Sequence, residues 1–213
     1  MKGRAFRIDR RRGVPSGYSG WTHLAVITGV CLASTALFLY FLGPMVWWHY
    51  LVLPVSFVVA NFVEYCAHRW PMHHPVRNGF FKHIYKQHAG IHHRYFTYEN
   101  MVLDDPRDLR EILSTPRHIS GFLLMIVVPT MAFLSLMSWN IGLLFGATSI
   151  MYYLFYEWVH LASHMPPNHW IPSLPVLRGL CHHHKEHHQT RLMREYNFNI
   201  AFPLFDYVFG TKA

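Results

Sequence analysis

Two stretches of this chain carry no Asp, Glu, Lys or Arg at all: Gly13 to Val63, 51 residues, and His118 to Tyr156, 39 residues. A helix needs about 20 apolar residues to cross roughly 30 Å of hydrocarbon, so each block is long enough for two crossings. Each block also has turn residues near its middle. In the first, Trp21 to Leu42 reads as one span, Gly43-Pro44 as the break and Met45 to about Glu64 as the return, with the proline where a first helical turn tolerates it. In the second, Ile119 to Trp139 and Asn140 to about Leu161 are separated by Ser138-Trp139-Asn140. The expected fold is therefore all-α and integral to a membrane, four transmembrane helices forming two hairpins. The opening apolar run, about 22 residues, is too long for the core of a cleavable signal peptide, which is about 7 to 15.

Orientation follows from charge. Six of the 19 basic residues, Lys2, Arg4, Arg7, Arg10, Arg11 and Arg12, lie in the first twelve positions, and the hairpin tips carry none. The positive-inside rule keeps that arm in the cytoplasm, together with both later polar segments and both termini. An endoplasmic reticulum or bacterial inner membrane suits this layout. The 213 residues make one membrane domain: a basic arm (1–20), hairpin 1 (21–66), a histidine-rich cytoplasmic segment (67–117), hairpin 2 (118–161) and a second histidine-rich segment (162–213). The two segments form a helical cap. Because so much of the net charge of +8 belongs to the arm, nucleic acid is not an expected partner. Three scattered cysteines with no C-x-x-C indicate neither disulfides nor a zinc ribbon.

Eighteen histidines in one short chain call for an explanation. Single residues such as His23, His49, His118 and His169 read as surface or interfacial. The others form groups whose spacing suits metal binding, since residues three and four apart share a helix face: His88 and His92, His160 and His164, and His184 with His187 and His188. His183 is an alternative to His184. His68 and His73 are five apart across Pro71, so the helix must end or distort there to turn both rings inward. So many imidazoles exceed one coordination sphere and suffice for two ions with open positions. Glu64 and Glu157 precede His68 and His160 by four and three residues. Carboxylates at the ends of spans need partners, and holding a ligand ring N–H is one such role. Direct ligation, helix capping and pairing with Arg69 are others.

The order H-x4-H, H-x3-HH, H-x3-H and H-x2-HH, interleaved with two membrane hairpins, resembles the fatty acid hydroxylase and sterol desaturase superfamily of membrane non-haem diiron oxygenases. Tyr196 to Thr211, ending Phe-Gly-Thr, is similar to that family's closing segment. The resemblance implies ten metal ligands, His68, His73, His88, His92, His93, His160, His164, His184, His187 and His188. It further implies two iron ions, replaceable by zinc since a nitrogen-rich site accepts either, with O2 as co-substrate and oxidation of a lipid C–H bond. The chain has no haem or flavin fingerprint, so electrons would come from a separate donor such as a cytochrome b5 or a ferredoxin, docking near Arg69, Arg77, Lys82, Lys86, Arg191 and Arg194. Hydroxylation of a fatty acyl or related chain is the leading expectation. Desaturation or another oxidation of sterol, carotenoid or ether lipid at the same centre is the alternative, and a metal transporter or sensor is the reading from a different class.

Overall fold

The computed structural model describes residues 2–77 and 79–213. Within them the chain is all-helical apart from an isolated bridge pairing Thr97 with Asn100. An arm helix, α1 (Lys2–Arg12), leads into α2 (Gly20–Tyr40), which Ser19 caps by accepting from the Thr22 amide. After a loop and a 3-10 turn (Trp47–Leu51), α3 (Val52–Ala67) runs back and continues as a π-helical turn, His68–Met72. The first cap segment holds α4 (Gly79–Tyr85), a second π segment (Lys86–His92), α5 (His93–Tyr95), a 3-10 turn (Pro106–Asp108) and α6 (Leu109–Ile112). Then come α7 (Pro116–Phe122), a third π segment (Leu123–Val127) and α8 (Val128–Ser135). The long α9 (Trp139–Ser163) returns to the cap, where α10 (Trp170–Ser173), α11 (Pro175–His187) and α12 (Leu204–Val208) finish the chain.

Three helical stretches among the described residues are long and apolar enough to cross a membrane: Gly20–Tyr40, Trp47–Met72 and Pro106–Ser135. The expected fourth, α9, has 25 residues, about 37 Å of helix at 1.5 Å per residue. It differs from the others in environment. Eighteen of its residues are buried, because it packs against α2, α3, α8 and α11 at once. A helix enclosed by protein can carry Asn140, Ser149, Tyr152 and Glu157, all buried, which lowers its hydropathy below that of a lipid-facing helix. The three outer stretches instead expose Leu, Val and Phe side chains such as Val30, Leu37, Val55, Phe62, Leu124 and Phe133.

Close packing on α9 depends on Gly142 and Gly146, a small-x3-small pair of the kind that lets helices approach in membranes. A Cβ on Gly142 would lie 2.0 Å from Ser135 Oγ, and one on Gly146 would lie 2.9 Å from the Phe38 ring. The turn between α8 and α9 falls at Leu136–Ser138. Asn140 ties it to the other tip, accepting from the Gly43 amide at 2.8 Å and donating to the Pro44 carbonyl at 2.8 Å.

The basic arm is tied to the first cap segment by ion pairs. Arg7 is buried and donates to Asp108 at 2.7 Å and to the Val102 carbonyl at 2.6 Å. Arg11 makes a two-pronged pair with Asp108 at 2.6 and 2.7 Å, and Arg10 pairs with Glu111 at 2.6 Å. Three of the arm's basic side chains are thus spent on the acids of the first cap segment, a match between Arg7, Arg10, Arg11 and Asp104, Asp108, Glu111 that the sequence reading did not make.

Candidate metal centre

The ten expected histidines converge at the end of the helical bundle where α3 and α9 meet α11 and the first cap segment. Every one of them is buried. They form two adjoining clusters. In the first, ligand atoms of His68, His73, His88, His93 and His187 lie within 4.8 Å of one another, and in the second those of His92, His164, His184 and His188 do. His160 joins the second cluster, its Nε2 3.3 Å from that of His92. The doublets are divided between the clusters: His92 and His188 face one, His93 and His187 the other. Neighbours on a helix point about 100° apart, so a doublet addresses two centres at once.

Two π segments make this possible. Their i→i+5 hydrogen bonding stacks residues five apart on one face. His68 and His73, and likewise His88 and His93, therefore share a face at that spacing, with ring centroids 4.9 and 4.7 Å apart. The distortion expected near Pro71 is the first of these segments. His184 is the ring that enters the cluster; His183 turns away to Asp206 at 3.2 Å.

Backbone carbonyls orient the rings. Nδ1 of His68 lies 2.5 Å from the Phe198 carbonyl and that of His187 2.8 Å from the Tyr196 carbonyl. In the second cluster, Nδ1 of His92, His164 and His188 lies 2.8, 2.9 and 2.6 Å from the carbonyls of Glu111, Met101 and Phe96. A carbonyl only accepts, so this network assigns the proton to Nδ1 and leaves each Nε2 lone pair pointing inward. His92 and His188 then present two lone pairs to each other across 3.3 Å, an arrangement that protein groups alone do not satisfy and a cation does. Inward Nε2 pairs are 2.9 to 3.3 Å apart across both clusters. Ligands about 2.0–2.1 Å from one ion are separated by about 3.0 Å on neighbouring octahedral vertices and about 3.4 Å on tetrahedral ones. The residues present fit a metal. Burial also pushes imidazoles in the cap below their ordinary range, His92 to about 4 and His88, His93, His184, His187 and His188 well below it. They stay neutral, as metal ligation requires.

Glu64 and Glu157 do not touch the rings. Glu64 accepts from the Tyr152 hydroxyl and from the amides of Ile200 and Ala201, and Glu157 accepts from the Tyr153 hydroxyl at 2.6 Å and the Ser114 amide at 3.2 Å. For His68, His92, His164, His187 and His188 the role expected of them, holding ring N–H groups, is filled by neutral carbonyls, which do it without burying another charge. The carboxylates instead fasten cap loops to α3 and α9. No residue type marks a carbonyl acceptor, so sequence reasoning had no signal for these partners.

An apolar cavity of about 300 Å³ lies between α3, α4, α7 and α9. Val63, Phe81, Phe122, Met125 and Ile126 line it, and His68 forms part of its wall. A smaller cavity of about 50 Å³ shares Met72, Ile84, Ser114, His118 and Tyr156 with the first and reaches His88, His92 and His160. His118, read from sequence as interfacial, therefore stands where the two meet.

Helices long and apolar enough for a bilayer, an apolar cavity and two buried imidazole clusters that could hold metal define the class: a membrane protein with a candidate metal site. The family is shown by comparison: the model for fatty acid hydroxylases matches residues 53–211, and the chain belongs to that family. A solved structure of full-length Scs7p, with only its hydroxylase domain visible, is similar with a TM-score of 0.64 at 20% identity, covering 92% of this chain and 67% of that one. That likeness shows the same fold. No curated protein sequence matches the chain.

Proposed function

We propose that this chain is an O2-dependent lipid hydroxylase of the membrane, inserting a hydroxyl into a C–H bond of a fatty acyl or related chain. One observation carries the reading: the apolar cavity, walled by residues of two candidate spans, has His68 in its lining and adjoins the cavity that reaches His88, His92 and His160. A hydrocarbon chain occupying it would lie with a methylene beside the histidine clusters. At 300 Å³ the space is at the lower end of the range for ligand pockets, which suits a slender chain better than a rigid ring system.

The ten histidines would hold two iron ions, five rings to each, with zinc a competent replacement in so nitrogen-rich a site. Iron bound there would supply the activation of dioxygen needed to oxidise an unactivated carbon. The chain's own contribution is placement: Phe122, Met125 and Ile126 hold the hydrocarbon and exclude water, and the carbonyls of Phe96, Met101, Glu111, Tyr196 and Phe198 keep the rings aimed. Electrons would come from an external donor of the cytochrome b5 or ferredoxin kind. Five of the six basic residues near its expected docking face, Arg77, Lys82, Lys86, Arg191 and Arg194, are exposed, as steering of an acidic partner requires.

The test is a reaction of iron-reconstituted protein with lipid extract, reductant and labelled dioxygen, followed by mass spectrometry of the products. One labelled oxygen in the product supports hydroxylation. A product two mass units lighter than substrate moves the assignment to desaturation, and no oxygen-dependent product from any lipid fraction favours the metal transporter or sensor class.

A further inference from the structure

The carbonyls that orient the two clusters come from two different segments. Phe198 and Tyr196, which hold His68 and His187 of the first cluster, belong to the closing segment. Phe96, Met101 and Glu111, which hold His188, His164 and His92 of the second, all belong to the stretch that runs from the end of α5 through α6. Each segment is organised around one fully buried aspartate. Asp206 accepts from the amides of Phe198 and Asn199 at 2.9 and 2.7 Å and from the Thr211 hydroxyl at 2.7 Å. Asn197, with a positive φ of 60°, lies between the two carbonyls, and Asn is among the few side chains at ease in that conformation. Asp108 accepts from the Asp104 amide at 3.0 Å, the Tyr95 hydroxyl at 2.5 Å, and Arg7 and Arg11 of the arm helix. The arm lies outside the part of the chain that the family model matches, residues 53–211.

We propose that Asp206 and Asp108 are positioning residues, each governing one histidine cluster through its own loop, and that α1 is a structural part of the second metal position. The inference rests on the two-metal reading above. Its consequence is that the two ions can be weakened separately. Groups that orient metal ligands typically change affinity about 10–100-fold when removed, and here that loss should fall on one ion only.

The experiment uses the full chain in detergent micelles, stripped with chelator and titrated with cobalt(II), with bound metal read by elemental analysis and coordination by visible absorption. Two mild variants carry it. Arg11→Gln removes a partner of Asp108 whose side chain is 19% exposed and leaves Arg7 to balance the charge, and Thr211→Val removes one hydroxyl from Asp206. Asp108→Asn and Asp206→Asn are the stronger pair, scored where they remain monodisperse. The parent should bind two ions. Arg11→Gln should weaken one at least about 10-fold, Thr211→Val the other, and the absorption band lost should differ between them. Both variants weakening the same ion, both ions together, or neither would overturn the assignment. A parent that binds fewer than two ions would instead remove the two-metal reading itself, a result distinguishable because it appears before any substitution.

Discussion

Acid should unfold the metal-free cap over a narrow pH range. The perturbation is a shift from pH 7.5 to 5.5 after the metal has been removed by chelation. His73, His88, His92, His93, His164, His184, His187 and His188 all have pKa values lowered from 6.5, burial being the largest cause. In the unfolded chain the same groups titrate near 6.5. Above that pH both states are neutral and nothing is lost; below it the unfolded state binds protons that the folded state refuses, so stability falls as pH falls. Each group costs about 1.4 kcal/mol per pH unit, and eight together cost about 11 kcal/mol at pH 5.5, as much as the roughly 5–15 kcal/mol that holds an ordinary domain together. Thermal unfolding followed by tryptophan fluorescence should show the metal-free melting temperature dropping steeply between pH 6.5 and 5.5, while the metal-loaded protein, whose ring nitrogens are occupied, holds to lower pH. A metal-free melting temperature that stays level across this range would refute the picture of buried, neutral, unshared imidazoles.

Gly121→Ala would place a Cβ 2.2 Å from the Phe80 ring in the wall of the apolar cavity; the ring must move, and turnover of long acyl substrates should fall on the order of 10-fold with the metal content, measured by elemental analysis, unchanged. Gly20→Ala puts a Cβ 2.2 Å from the Pro106 carbonyl oxygen, where two backbones must part at a cost of about 1–3 kcal/mol, so the melting temperature should fall by about 2–4 °C for each kcal/mol. For topology, single cysteines at Ser16 and at Leu136, which is 84% exposed, should be modified by a membrane-impermeant reagent from opposite sides, Leu136 from outside; labelling of position 16 from outside would reverse the orientation.

The outer helices were legible because absence of charge over a membrane's length leaves few other readings; α2 ends at Tyr40, two residues from the expected Leu42, while the helix expected to end near Glu64 runs on through its π turn to Met72. What composition did not distinguish was α9 from its neighbours. Both charge-free blocks look alike residue by residue, yet one helix faces protein on most sides, and only the small residues Gly142 and Gly146 and the polar Asn140 and Glu157 hint at it. The histidine groups were legible by spacing, but their partition was not: His88 and His92, and likewise His184 and His187, share a helical spacing yet fall in different clusters. The ring partners were not, because Phe96, Met101, Glu111, Tyr196 and Phe198 act through backbone oxygens and their side chains are irrelevant to the role. Glu64 and Glu157 drew attention for a sound reason, their cost at the end of a span, but that cost is met by Tyr152, Tyr153 and backbone amides.

The π segment Lys86–His92 offers a sharper test of how the first cluster is built. His88 stands five residues before His93, and at α-helical pitch that spacing would swing the two rings apart; the π hydrogen bonding returns them to one face. Removing one residue between them should let the segment relax to an α-helix in which His88 and the second histidine of the doublet are four apart, again on one face. Gly90 is the position to delete, since nothing but Lys86 Cγ and the Tyr85 carbonyl comes within 4 Å of where its Cβ would be. The deletion should therefore keep metal binding at both clusters, whereas inserting an alanine after Gly90 makes the spacing six and should cost the first cluster its ion. Elemental analysis of the two variants beside the parent decides it. If the deletion loses metal as completely as the insertion, the π turn is needed for something other than bringing His88 and His93 to the same face, and the account of spacing given for this cluster fails.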